Sequence, residues 1–197
     1  MQLVAVEGAR PKRVAPRRER EIYCLLRVNP ELFEKDTQFK LLYVNKRAEK
    51  GPDFVAVNRK GHLLLGEVKK GGLPTSAWSQ AKRYAKRFAN MREAELNIQL
   101  ARSGISKKVR DLLRGFLSST GFAALLNPSR RKLHLVFVAE AFSDRILRAT
   151  TRDSLGRVLR SKVKDVKCVE LRTYRVPRAA TLAIASVVGG RRRRFRR

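Results

Sequence analysis

The sequence predicts an α/β protein built on a mixed β-sheet flanked by helices. Three observations lead there. Apolar runs of strand length recur at 39–45, 54–57, 63–65, 132–139 and 166–176,. The second and third of these are separated by Asn58-Arg59-Lys60-Gly61, a break of hairpin type,. Segments with helical spacing of apolar residues lie between the later runs, and a strand–helix–strand sequence of that length forms a crossover between parallel strands.

Taken in order, residues 1–16 hold Pro11, Pro16 and several basic residues, and read as a basic arm with at most a short strand at 2–6. A helix is expected at 17–28. Pro30 disfavours helical geometry at Asn29 and so marks its end,. A further helical turn fits 31–36, and a strand fits 39–45 around Leu41, Leu42, Tyr43 and Val44. If Arg59-Lys60-Gly61 is the hairpin loop, Gly61 takes the left-handed position of a three-residue connection. Asn58 then faces His62, and stepping outward brings Asp53 opposite Glu67. Directly opposed residues have Cβ atoms roughly 4.5–5.5 Å apart. Side chains alternate along a strand, so Lys69 shares the face of Glu67.

Gly71-Gly72 and Pro74 break the chain after this strand, and Ser76 is the expected N-cap of a helix at 77–90,. Trp78, Ala81, Ala85 and Phe88 form its apolar stripe, with Lys82, Arg83, Lys86 and Arg87 outside it. Residues 106–118 have helical spacing through Val109, Leu112, Leu113, Phe116 and Leu117, with Lys107 and Lys108 at the start,. A loop or short helix is expected at 121–131. The run 132–139 is nearly continuous in apolar residues, as in a strand buried on both faces,. Ser143 is the expected cap of a helix at 144–161, followed by a strand at 166–176. Residues 181–188 suit an edge strand or a partner contact. One domain at 17–188 thus lies between the basic arm and a tail at 189–197. In that tail Arg191, Arg192, Arg193 and Arg194 begin a run with six arginines in seven residues.

The formal charge of +29, from 46 Lys and Arg against 17 Asp and Glu, favours a polyanionic partner,. DNA is the expected one, with RNA as an alternative. No apolar run reaches the ~18 residues that a membrane-spanning helix needs,. Two cysteines are too few for a disulfide framework, and an intracellular setting, cytoplasmic or nucleoid-associated, follows,. His62 and His134 fall in separate strands without metal-ligand spacing and read as structural or surface residues. No Walker loop, dinucleotide fingerprint or zinc-finger spacing is present.

Two carboxylates and an ammonium at one hairpin end suggest chemistry at a phosphodiester. Hard oxygen ligands suit Mg²⁺ or Mn²⁺. Such an ion lowers the pKa of a water and steadies the leaving oxygen. Lys69 would orient or deprotonate that water or neutralise charge on phosphorus.

Pro52-Asp53, then Glu67-Val68-Lys69 after thirteen intervening residues, resembles the signature of the PD-(D/E)XK nuclease superfamily. Gln80 and Tyr84, four apart on one helix face, resemble the QxxxY motif of its RecB-like branch,. Glu19 with Ile22, Leu26 and Asn29-Pro30 resembles the helix preceding the core in RecB-like and NucS-like members, although Glu21 also has helical spacing to the apolar residue Leu25. These motifs cover residues 17–90, with a weaker likeness to about 176.

The resemblance implies a restriction-endonuclease-like fold and a metal-dependent DNA endonuclease. Glu19, Asp53, Glu67 and the Val68 carbonyl would hold Mg²⁺ or Mn²⁺. Asp53, Glu67 and Lys69 would form the catalytic centre, Gln80 would place the water or phosphate, and Tyr84 would support the substrate backbone. Lys70, Lys82, Arg83, Lys86, Arg87, Lys107, Lys108 and Arg191 to Arg194 would bind phosphates. The alternative is a nuclease-fold module that binds DNA or RNA without cutting it. A homodimer or a specificity-giving protein partner is compatible with either. A separate DNA-binding domain of the kind NucS-like enzymes often carry has no counterpart here.

Overall fold

The computed structural model describes residues 12–13, 39–44, 51–175 and 181–189. Its centre is a mixed sheet. Strands β1 (Lys12–Arg13), β2 (Phe39–Val44), β3 (Phe54–Asn58) and β4 (Leu63–Gly72) come first. Four helices follow: α1 (Thr75–Asn90), α2 (Glu93–Arg102), α3 (Val109–Leu113) and α4 (Ser119–Leu126). Then come β5 (Leu133–Ala141), α5 (Asp144–Ala149), a 3₁₀ turn at Arg152–Ser154 and α6 (Arg157–Lys162). Strands β6 (Val163–Arg175) and β7 (Thr181–Gly189) close the sequence.

The sheet order is β1-β6-β5-β4-β3-β2, with β7 also on β6. β2, β3 and β4 form an antiparallel meander. β4, β5 and β6 are mutually parallel, and β7 runs antiparallel to β6. The two parallel joins are made through α1–α4 and through α5–α6, which is what a parallel pair requires of its connection. Lys12 and Arg13, placed in a loose arm by composition, pair with Arg175 and Tyr174 on β6.

The hairpin register is the one expected. Phe54 pairs with Gly66 and Val57 with Leu63. The Asn58 amide donates to the His62 carbonyl at 3.0 Å, and Gly61 closes the loop at φ 74°. The Asn58 side chain accepts from the Lys60 and His62 amides, so the turn is tied from within,. Gly66 is required by packing: a Cβ there would lie 2.0 Å from Cε1 of the buried Phe54 ring.

Alternation along the strands divides the core in two. Val55, Val57, Leu63, Leu65, Phe137, Ala139 and Cys168 meet the helices, including Ala77, Ala81, Ala85 and Phe88 of α1. Phe54, Ala56, Leu64, Val68, Val136, Val138 and Val169 form a second cluster on the other face. β5 contributes to both, as its unbroken apolar run predicts.

Three helical expectations are corrected. α1 begins at Thr75 with Pro74 at the N-cap, so Ser76 lies inside the helix and not at its cap. Proline has no N–H to orphan there, and its extended backbone suits the position. The helix expected at 106–118 is reduced to Val109–Leu113, because Gly115 turns the chain at φ 78°. The single helix expected at 144–161 is interrupted. Thr150 and Ser154 bond backwards to the carbonyls of Ile146 and Ala149, and such side-chain bonds compete with helix propagation,. Helix α2 was not anticipated, although Glu95 reaches back to the Arg92 amide at 2.7 Å and Leu96 and Leu100 make a buried pair,.

Candidate functional site

The meander and the first crossover bring Asp53, just before β3, and Glu67 of β4 under α1. Regular pairing ends at Phe54 and Gly66: the Asp53 amide donates to the same Gly66 carbonyl at 2.9 Å, one residue off the register that would have set Asp53 opposite Glu67. Asp53 Oδ2 then accepts the Val68 N–H at 2.6 Å. Val68 itself points into the second core cluster, so its backbone serves this site while its side chain serves the opposite face. Glu67 is 4% exposed and pairs through Oε1 with Lys69 Nζ at 2.7 Å, Lys69 being 20% exposed. Lys69 lies two residues beyond Glu67 on the same face, as alternation requires.

Helix α1 covers this end of the sheet. Its Trp78 ring packs 5.8 Å from Phe137, which fixes the helix over β4 and β5. Tyr84 lies within the electrostatic reach of the carboxylates. Burial raises its pKa, and the negative charges of Glu67 and Asp53 raise it further, against the opposing fields of Arg83 and Lys69. The phenol therefore remains protonated and is a hydrogen-bond donor. Gln80 stands one helical turn earlier on the same side, and its Oε1 is buried with no hydrogen-bond partner among the described residues,. Asp53, Glu67, Lys69 and Tyr84 are thus brought together, with Gln80 beside them.

The expected phosphate-binding residues fall in two groups. Lys70, Arg83, Lys86 and Arg87 are exposed at the strand end and along α1. Lys82 is partly covered, its ammonium lying 5.7 Å from the centre of the Trp78 ring. Arg87 donates to Gln99 Oε1 at 3.0 Å, which ties α1 to α2. Lys107 and Lys108 are exposed just before α3. The upstream acids Glu19 and Glu21, and the arginines Arg191, Arg192, Arg193 and Arg194, lie outside the described residues.

One acid escaped the sequence reading. Glu170 on β6 pairs in register with Ala139, which pairs with Lys69. Cys168, two residues before it, belongs to the helix-covered core, so alternation puts Glu170 on the face of Lys69,. Only the β5 register reveals this, and no local motif carries it.

The donor set fits a hard divalent cation in part. Mg²⁺ is commonly held by one or two carboxylates with water and substrate oxygens completing the shell. Asp53 and Glu67 supply two such carboxylates, and Gln80, one helical turn from Tyr84 on α1, carries a buried neutral oxygen. Among the described residues no group of three or more His, Cys, Asp or Glu side chains is arranged to hold a metal ion.

Fold and site define a mixed α/β protein with a carboxylate–lysine cluster at the carboxyl end of a parallel strand. No family model matches the sequence, and no curated protein or solved structure matches it. Among the described residues no helix is long and apolar enough to cross a membrane.

Proposed function

We propose that this chain is a metal-dependent deoxyribonuclease of restriction-endonuclease-like fold. The observation that carries the reading is the cluster itself: Asp53 accepts from the Val68 amide, next along the chain from Glu67, Lys69 contacts Glu67 at 2.7 Å, and Tyr84 feels both carboxylates. Asp53, Glu67 and the Val68 carbonyl would hold Mg²⁺ or Mn²⁺, with Glu19 as the further acid that the motif resemblance supplies. When bound, such an ion would polarise the scissile phosphate and acidify a water.

The chain's own residues would do the rest. Lys69 offers a cation beside the carboxylates, placed to orient the attacking water or to offset charge growing on phosphorus. The Gln80 oxygen can accept a hydrogen bond from that water. Tyr84 can donate to a phosphate oxygen, because it keeps its proton. Lys70, Arg83 and Lys86 lie exposed where a phosphate backbone would approach, and contacts of that kind position nucleic acid without reading its bases,.

The test is cleavage of duplex, branched and single-stranded DNA with Mg²⁺, Mn²⁺ or EDTA. Cutting should need the metal, and Asp53→Asn should abolish it while DNA binding persists. Equal cutting by Asp53→Asn and the parent would refute the assignment.

A second reading has its own support. Asp53 is bonded to the Val68 amide and Glu67 to Lys69, so both carboxylates also have structural partners. A non-cutting module that binds DNA or RNA would use them so. Calorimetry separates the two, since the module should give no Asp53-dependent Mg²⁺ or Mn²⁺ heat.

A further inference from the structure

The chain's only two histidines are far apart in sequence but adjacent in the fold. Leu64 pairs with His134 across β4 and β5, and His134 pairs with Asp165 across β5 and β6. His62 precedes β4 by one residue and shares the face of Leu64. This is the opposite end of β4 from Lys69: seven residues at strand rise separate His62 from it by roughly 23 Å.

The contacts form a chain. Asp165 Oδ1 lies 2.5 Å from His134 Nδ1, and His134 Nε2 lies 3.5 Å from His62 Nδ1. The ring centres of the two histidines are 5.7 Å apart. Subtracting 3.5 Å from 5.7 Å leaves 2.2 Å for the two centre-to-nitrogen distances together, which is what imidazoles facing end-on require. Phe39 packs on His134 edge-on at 5.2 Å and fixes its plane. With Nδ1–H given to the carboxylate, Nε2 of His134 keeps a lone pair directed at His62. A carboxylate behind a histidine is also the support that metal-bound imidazoles commonly have.

The spacing matches a bridging ion. Two Zn–N bonds of about 2.0–2.1 Å meeting at a tetrahedral angle span about 3.4 Å. We propose that His62 Nδ1 and His134 Nε2 form a two-imidazole site for a borderline transition-metal ion, represented by Zn²⁺, with Asp165 fixing the tautomer of His134. Turning each ring by about 35° from the end-on line aims both lone pairs at the apex that a tetrahedral ion would occupy. Two imidazoles leave positions for water or an anion. Lys60, Lys132 and Lys164 surround His62, and Lys167 lies 3.9 Å from Asp165. These cations oppose a bare metal ion and favour one that carries an anionic ligand such as a phosphate oxygen. Nitrogen donors select Zn²⁺ over Mg²⁺, so the site is chemically distinct from the carboxylate cluster.

The experiment uses the full chain, freed of metal by chelation, with Zn²⁺ as the probe and Mg²⁺ as the control. Because only two imidazoles exist, long-range ¹H–¹⁵N spectra resolve both without assignment variants. Zn²⁺ should shift the nitrogens of both rings together along a single-site curve, and Mg²⁺ should move neither ring. His62→Ala, at the edge of the hairpin loop, should remove the binding. Asp165→Asn should weaken it about 10–100-fold, as loss of such a support does elsewhere. Asp53→Asn should leave it unchanged, which keeps this result independent of the nuclease reading. Zn²⁺ affinity undiminished in His62→Ala, or imidazole nitrogens unmoved by Zn²⁺, would overturn the proposal.

Discussion

Replacing Lys69 by Met tests whether the Glu67–Lys69 pair is a buried ion pair in the energetic sense. Glu67 is 4% exposed, and its Oε1 lies 2.7 Å from the Lys69 ammonium, itself 20% exposed. Methionine keeps the length and packing of the lysine stem but removes the charge. The carboxylate then stays buried without its cation, and breaking a buried pair from one side costs about 3–5 kcal/mol. The lower end applies here, because Lys69 is partly wet. Lys69→Met should therefore lose about 3 kcal/mol in urea unfolding followed by circular dichroism. Glu67→Gln/Lys69→Met should recover much of the loss, since no uncompensated charge remains. The same cycle carries functional information. A divalent cation at Asp53 and Glu67 would replace the missing ammonium, so Mg²⁺ should stabilise Lys69→Met more than the parent. At 100-fold over its dissociation constant the ion would return about 2.7 kcal/mol. A Lys69→Met protein within about 0.5 kcal/mol of the parent, the usual range for surface changes, would show that Glu67 is better solvated than its burial implies.

Two further perturbations follow from the structure. Arg131 is wholly buried and donates to the carbonyls of Leu125, Phe88 and Met91, pinning α4 to the end of α1; Arg131→Met should cost about 3 kcal/mol through lost charge-assisted bonds, and an unchanged urea midpoint would refute that role. His62 is held neutral, its pKa lowered to about 4 by burial and then by the positive fields of His134, Lys164, Lys60 and Lys132. The unfolded chain takes up that proton near pH 6.5, so stability is full above 6.5 and falls as pH drops toward 4. His62→Gln should flatten urea midpoints across that window, and a slope equal to the parent's would remove His62 as its source.

The parts of the fold legible in the sequence are those fixed by local chemistry. The hairpin register follows from Gly61 and the alternation on either side as far as Phe54 and Gly66, and the last step, to Asp53, is set by its side-chain bond to the Val68 amide. β5 follows from its apolar run. What was not legible depends on pairing between distant segments. Nothing near His62 or His134 announces that β4 and β5 lie side by side, so each histidine stands alone in its local sequence. The same register raises Glu170 onto the face of Lys69. The helix errors have a different origin: apolar spacing extends through 106–118 and 144–161, but Gly115, Thr150 and Ser154 offer the backbone competing arrangements.

Charge gives the cluster its significance. In a chain with 46 basic residues and 17 acidic ones, acids are scarce and surface positions for them are plentiful. Yet Glu67 is the one acidic residue buried among the described ones, and it stands beside Asp53 on the face that α1 covers. Burying a carboxylate is unfavourable unless it is paired, and well-packed apolar residues often serve stability as well or better. A hairpin end needing only rigidity could therefore have used Val and Leu, as Leu63, Leu64, Leu65 and Val68 do elsewhere in β4. A protein needing only to attract phosphates would gain nothing from negative charge beside them. Both considerations make the pair costly for a purely structural or purely binding role, and a cation drawn between nucleic acid and protein would offset that cost. The Mg²⁺ response of Lys69→Met decides between these accounts: stabilisation that depends on Asp53 supports a metal centre, and its absence leaves the carboxylates as internal ties of the hairpin.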